Sequence, residues 1–194
     1  MAETMRAFIA LETPDSVKGY LNGLQQELRT RIDNIRWVRP ENIHLTLKFL
    51  GEIDIAQVAS IATVLDNISL PCGEPALEIK GLGVFPGIKR PRVIWSGIAG
   101  DTAGLMTMQK DLEMLLEKIG FKKEPRRFTA HLTIGRIKGR IDPKQIVAAI
   151  NEVSAHDPVL FEVKRLLLLQ SRLRPEGAVY SQLHSVTFET DSVE

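Results

Sequence analysis

Two stretches of the sequence set a proton-transferring side chain two residues before a hydroxyl: His44-Leu45-Thr46-Leu47 and His131-Leu132-Thr133-Ile134. Residues two apart on a β-strand share a face. Each stretch would therefore present an imidazole and a hydroxyl on one side and apolar side chains on the other. With an ordinary pKa of ~6.5, one imidazole can accept a proton while its twin donates one. A Thr hydroxyl can donate to an anionic oxygen without adding charge. Around a phosphodiester, one His would activate water, the other would protonate the departing oxygen, and the two Thr would hold the non-bridging oxygens. A single His-x-Thr would carry little weight, because strands commonly alternate polar and apolar faces. Its recurrence 87 residues later is what points to a site. Neither copy has a further carboxylate or His at zinc-ligand spacing, so neither a metal nor another cofactor is expected.

The elements that must position these residues follow from pattern. A strand is expected over 6–11 and a helix over 14–31, with Thr13 before Pro14 at its start and Val17, Leu21, Leu24 and Leu28 at helical spacing. A short extended piece at 36–38 leads through Pro40-Glu41-Asn42 into the first motif strand, which Gly51 is expected to close. Helices are expected over 54–67, 101–119 and from Asp142-Pro143 to about 153, and strands over 76–85, 92–98, 159–170 and 179–187. Each motif is a strand followed by a helix. This implies an α+β fold: residues 1–194 as a single domain of two pseudo-symmetric lobes, mainly antiparallel sheet facing a central cleft with helices outside.

Composition sets limits. At 194 residues and 44% hydrophobic content, a substantial core can be buried. With 25 basic and 24 acidic residues, no overall field argues for bulk nucleic-acid or membrane binding, so an anionic partner must be met locally. The lone Cys72 cannot close an internal disulfide, no membrane-length apolar run occurs, and no signal-peptide run opens the chain. A cytoplasmic, monomeric protein with no membrane partner is expected. His156 and His184 occur singly in polar surroundings and read as surface or satisfied residues.

At this point the chain resembles a known family, the 2H phosphoesterases, defined by two His-x-Thr-x motifs. It is most similar to the RNA 2′,3′-cyclic phosphodiesterase branch, also called the 2′-5′ RNA ligases. Beyond the motifs the resemblance includes Met5 to Ala10, Trp37-Val38-Arg39-Pro40-Glu41-Asn42, Phe85-Pro86 and Pro91-Arg92-Val93-Ile94-Trp95. It continues through Arg127-Phe128, Ser171-Arg172-Leu173, Gly177 and Tyr180, and so spans nearly the whole chain. Ala130 departs from it, since this branch usually has Pro before the second His. The resemblance implies metal-independent hydrolysis of a 2′,3′-cyclic phosphate at an RNA end, or on a small nucleotide, to a 2′-phosphate. His44 would be the proton donor to the ribose 3′ oxygen and His131 the proton acceptor from water, with Thr46 and Thr133 binding the phosphate.

Further candidates rest on strand phase. Lys48 is in phase with His44 and Thr46 and would face the cleft as a phosphate contact, while Arg136 is out of phase with His131 and Thr133 and would not. Phe8 is a candidate to stack a base, with a core position as its alternative, and Tyr180 is a second candidate substrate contact. Lys89, Arg90, Arg92, Arg126, Arg127, Lys138 and Arg140 could flank an RNA strand or be plain solvated surface. Two other functions use the same residues: a ligase running the related transesterification to a 2′-5′ linkage, and a non-catalytic nucleotide- or RNA-binding module. Two titrating groups are more than binding alone requires.

Overall fold

The computed structural model describes residues 3–69, 77–153, 158–175 and 177–188. Cys72 and His156 lie outside these, so the expectations placed on them are not addressed. The first strand, β1 (Thr4–Glu12), runs into helix α1 (Asp15–Arg29), which buries Val17, Leu21, Leu24 and Leu28 along one stripe. β2 (Ile35–Trp37) is a three-residue strand, and a single 3-10 turn (Pro40–Asn42) delivers the chain into β3 (His44–Asp54). Helix α2 (Val58–Asp66) follows a 3-10 turn whose start is closed by Asp54 N–H donating to Gln57 Oε1 at 2.9 Å. Then come β4 (Leu77–Phe85), β5 (Val93–Gly100), α3 (Thr102–Lys118), β6 (His131–Ile137) and α4 (Pro143–Val153). The chain continues through β7 (Val159–Phe161), β8 (Arg165–Arg174) and β9 (Gly177–Thr187). No described helix is long and apolar enough to cross a membrane.

The fold is α+β, and every strand pairing is antiparallel. The strands join in one curled sheet ordered β7-β4-β5-β6-β3-β1-β8-β9, with β2 pairing to β6 beyond the stretch where β6 meets β3. The two motif strands sit side by side at its centre and touch through a single pair, Leu45 opposite Leu132. The helices bury one face of the sheet. Leu45, Leu47, Leu132 and Ile134 point into that core. The opposite face carries a small second cluster, Phe8, Ala10, Leu167 and Leu169, with Tyr180 packed on it.

Two expectations need correction. The expected strand over 159–170 is two strands: β7 pairs with β4 at one edge of the sheet, and β8 pairs with β1 on the far side of the centre. Gly51 does not end β3. The strand runs on to Asp54, and Gly51 sits at φ +78 beside a slip of register that leaves Leu50 unpaired against β1.

The slip that shapes the function lies three residues earlier, at Leu47. Ile9 faces Lys48 but Ala10 faces Thr46, so Leu47 is an extra residue in β3. The same device recurs in β6: Ile94 faces Gly135 but Trp95 faces Thr133, so Ile134 is extra. In both copies the bulge is the fourth residue of His-x-Thr-x. A bulge puts two residues where alternation expects one, so phase reverses after it. Leu47 and Lys48 both turn to the core side, as do Ile134 and Gly135, and the next residues, Phe49 and Arg136, turn outward.

Each bulge has a buried polar group behind it. Gln25, fully buried on α1, donates from Nε2 to the Ile134 carbonyl at 2.8 Å and the Val38 carbonyl at 2.7 Å. Behind Leu47, the Lys48 ammonium donates to Glu113 Oε2 on α3 at 2.6 Å and to the Lys122 carbonyl at 2.8 Å. Glu113 also accepts from Gln109 and from the Glu124 backbone. The loop carrying Lys122 and Glu124 leads into β6, so this network ties the first motif strand to the approach of the second.

Candidate active site

A cavity of about 440 Å³ opens on the outer face of the sheet where β3 meets β6, and His44, Thr46, His131 and Thr133 all line it. The strand phase expected for these four before the bulges is the phase they have. Each imidazole is fixed by the backbone two residues upstream. His131 Nδ1 lies 2.7 Å from the Thr129 carbonyl, so Nδ1 carries the hydrogen and Nε2 is left to act in the cleft. His44 makes the matching bond to the Asn42 backbone, and Asn42 is itself anchored by Nδ2 donating to the Ala178 carbonyl at 2.9 Å.

Aromatic rings wall both imidazoles. Phe8 stacks on His44 with centroids 4.7 Å apart and planes at 29°, and Tyr180 meets His44 edge-on at 5.1 Å. On the other side, Phe85 meets His131 edge-on at 4.9 Å, with Trp95 behind it at 6.3 Å. Gly83 makes room for Trp95, because a Cβ there would collide with the indole ring.

Those walls strip water from the rings and disfavour their charged forms. Burial pushes His44 down to about 4; the Asn42 hydrogen bond opposes this and the Arg136 guanidinium adds to it. His131 is also lowered by burial, with the Thr129 bond opposing. Burial pushes the Tyr180 phenol up, against the pull of Arg136 and Arg6, so it stays a neutral hydroxyl at ordinary pH.

The remaining candidates divide. Phe8 and Tyr180 line the cavity. Phe8 is only 3% exposed, so it is core and cavity wall at once. Lys48 is not in the cleft: the bulge at Leu47 turns it inward, where its side chain is 4% exposed in the Glu113 ion pair. Arg136, set aside on phase, lines the cavity because the bulge at Ile134 turns it outward, and Phe49 does the same beyond Leu47. None of Lys89, Arg90, Arg92, Arg126, Arg127, Lys138 and Arg140 lines the cavity. The cations that do are Arg6, Arg36, Arg39, Arg136 and Arg174. Strand register brings Arg6, Arg36, Arg136 and Arg174 there, and the turn before Pro40 brings Arg39. No group of three or more His, Cys, Asp or Glu placed to hold a metal occurs among the described residues.

Comparison with known proteins gives a consistent picture. The family described as LigT like Phosphoesterase matches twice, over residues 11–95 and 98–180, one match per motif. A Methanocaldococcus jannaschii protein named RNA 2′,3′-cyclic phosphodiesterase is 34% identical over 176 residues, 91% of this chain and 96% of its own. A Thermotoga maritima protein of the same name is 34% identical over 185 residues, covering 95% of this chain and 96% of its own. Among solved structures, a Thermus thermophilus protein superposes with a TM-score of 0.78 at 24% identity, covering 96% of this chain and 100% of its own. Escherichia coli LigT complexed with 3′-AMP gives 0.75 at 20% identity over 97% and 100%. These two likenesses bear on the fold.

Proposed function

Because the chain belongs to the LigT-like 2H phosphoesterase family, we propose that it hydrolyses 2′,3′-cyclic phosphates at RNA 3′ ends to 2′-phosphates without a metal. The observation that carries this reading is the convergence of two hydrogen-bond-oriented imidazoles and two hydroxyls on one cavity. Water attacks phosphorus in line with the ribose 3′ oxygen. His131 Nε2 takes the proton from that water, a role favoured by its lowered pKa and its fixed tautomer. His44 gives its proton to the 3′ oxygen as the P–O bond breaks. Thr46 and Thr133 donate to the two non-bridging oxygens, where charge grows in the transition state.

With burial pushing it down to about 4, the His44 ring favours its neutral form near pH 7. A cyclic phosphodiester brings one negative charge, which favours imidazolium and offsets Arg136. Substrate binding thus supplies the charge that makes His44 an acid. The test is to incubate the protein with EDTA and an RNA ending in a 2′,3′-cyclic phosphate, and to identify the product. A 2′-phosphate is expected. A 3′-phosphate reverses the leaving group, a 2′-5′ junction with a 5′-hydroxyl RNA supports ligation instead, and no reaction leaves a binding role.

A further inference from the structure

We infer that the cleft holds a second anion subsite, built from Arg36, Arg136 and Arg6, for the phosphate on the 5′ side of the terminal ribose. The preferred substrate is then an RNA strand rather than a lone nucleoside cyclic phosphate. This rests on the hydrolytic reading above and goes beyond it to the body of the substrate.

The strongest observation is a cross-strand pair of like charge. In the β2–β6 ladder Arg36 stands directly opposite Arg136, and both line the cavity. Like charges directly opposite on one sheet face destabilise it, so the arrangement makes sense where an anion bridges them. Neither guanidinium has an ion-pair partner within 4.0 Å among the described residues. The pairing is built in. Gly135, the residue after the bulge, lets Ile35 and Trp37 pack against it, and a Cβ there would sit 2.8 Å from Ile35 Cγ2. That contact seats β2 with Arg36 between them, pointing to the opposite face.

Arg6 joins from β1, two residues before Phe8 on the same face. Its neighbour across the β1–β3 ladder is Glu52, yet the two form no ion pair. Among the described residues, the five charged side chains that line the cavity outside the histidines are all arginines, with no carboxylate among them. In a chain of 25 basic and 24 acidic residues this is a local segregation of charge, and guanidinium is the cation whose planar fork suits phosphate oxygens.

The side of the cleft decides which phosphate. Arg136 and Arg6 both act on Tyr180, and Arg136 acts on His44, so the cations gather on the His44 side. If His44 serves the 3′ oxygen, the ribose lies on that side. Everything 5′ of the ribose must then leave past these arginines.

The test compares kcat/KM for three substrates: adenosine 2′,3′-cyclic phosphate, the same molecule with a 5′-phosphate, and the dinucleotide ApA with a 2′,3′-cyclic end. The two substrates with a 5′-side phosphate should be about 10–100-fold better, the range that charge-assisted hydrogen bonds confer. In Arg36→Ala and Arg6→Ala that ratio should fall toward one. The salt dependence of the dinucleotide reaction should also flatten in these variants, a change that a merely structural role would not produce. A ratio near one in the unmodified protein overturns the subsite and leaves cyclic-phosphate hydrolysis standing. A ratio that survives both substitutions assigns the preference elsewhere and overturns it too. No turnover of any of the three removes the hydrolytic reading and the subsite with it.

Discussion

Replacing Lys48 with Met separates the two places this residue could occupy. Strand alternation would put its ammonium in the cleft, where its loss would raise KM and leave stability alone. In the structure its side chain is 4% exposed and bonded to Glu113 Oε2 at 2.6 Å and to the Lys122 carbonyl at 2.8 Å. Lys48→Met would strand the Glu113 carboxylate behind the sheet. Breaking one side of a buried ion pair costs ~3–5 kcal/mol. At about 2–4 °C of Tm per kcal/mol for a chain of this size, Tm should fall by roughly 6–20 °C. Lys48→Met/Glu113→Gln should recover much of that loss, since the Gln oxygen can still accept from the Glu124 backbone and no charge is left unpaired. The assays are thermal denaturation of the single and double variants, and KM measured well below the lowered Tm. An unchanged Tm with a raised KM would refute the bulge at Leu47 and return Lys48 to the cleft.

Gly135→Ala would force a Cβ to 2.8 Å from Ile35 Cγ2 and 3.2 Å from the Trp37 ring. A cost of about 1–3 kcal/mol of overpacking is expected, measured by denaturant unfolding. Both imidazoles are held below their ordinary value, so the singly protonated pair is most populated on the acid side of pH ~6.5. Since kcat/KM reports the free enzyme, it should peak below pH ~6.5 and fall on the alkaline side as the pair gives up its last proton. Arg136→Gln removes one charge that lowers His44, so the acid limb should move up; an optimum above pH ~6.5, or an acid limb that does not move, would contradict this. Thr46→Val and Thr133→Val should each lower kcat by the equivalent of ~2.7–4 kcal/mol, with stability little changed. Gln25→Leu should cost about 1–3 kcal/mol of stability, because the Val38 carbonyl loses its Gln25 partner.

The four motif residues were legible because they precede the bulges. From His44 to Thr46 and from His131 to Thr133 the strands alternate regularly, and phase alone puts the polar groups together. It fails at the second residue after each Thr. Nothing in Leu47 or Ile134 differs from an ordinary core residue, and the extra residue shows only against the partner strand, in Ile9 to Ala10 and in Ile94 to Trp95. Lys48 and Arg136 therefore exchanged faces relative to expectation for one and the same reason. The helices were legible to within a few residues, because the stripe Val17, Leu21, Leu24, Leu28 and its counterparts encode which side is buried. The split of β7 from β8 was not, since Leu160 and Leu166 have equal claims on a strand and only tertiary pairing sends them to different parts of the sheet. The buried Gln25 that holds the Ile134 bulge reads in sequence as one more polar helix residue.

The division of labour between the two imidazoles can be tested most directly with a substrate whose leaving group needs no proton. 3′-Deoxyadenosine 2′-(4-nitrophenyl phosphate) would yield a 2′-phosphate by the same attack of water, releasing nitrophenolate. With His44 as acid and His131 as base, His44→Ala should lose ~10²–10⁴ on the cyclic phosphate but stay close to the unmodified protein on the nitrophenyl ester. His131→Ala should be slow on both. Equal losses by His44→Ala on the two substrates, or rescue of His131→Ala by the better leaving group, would contradict the assignment.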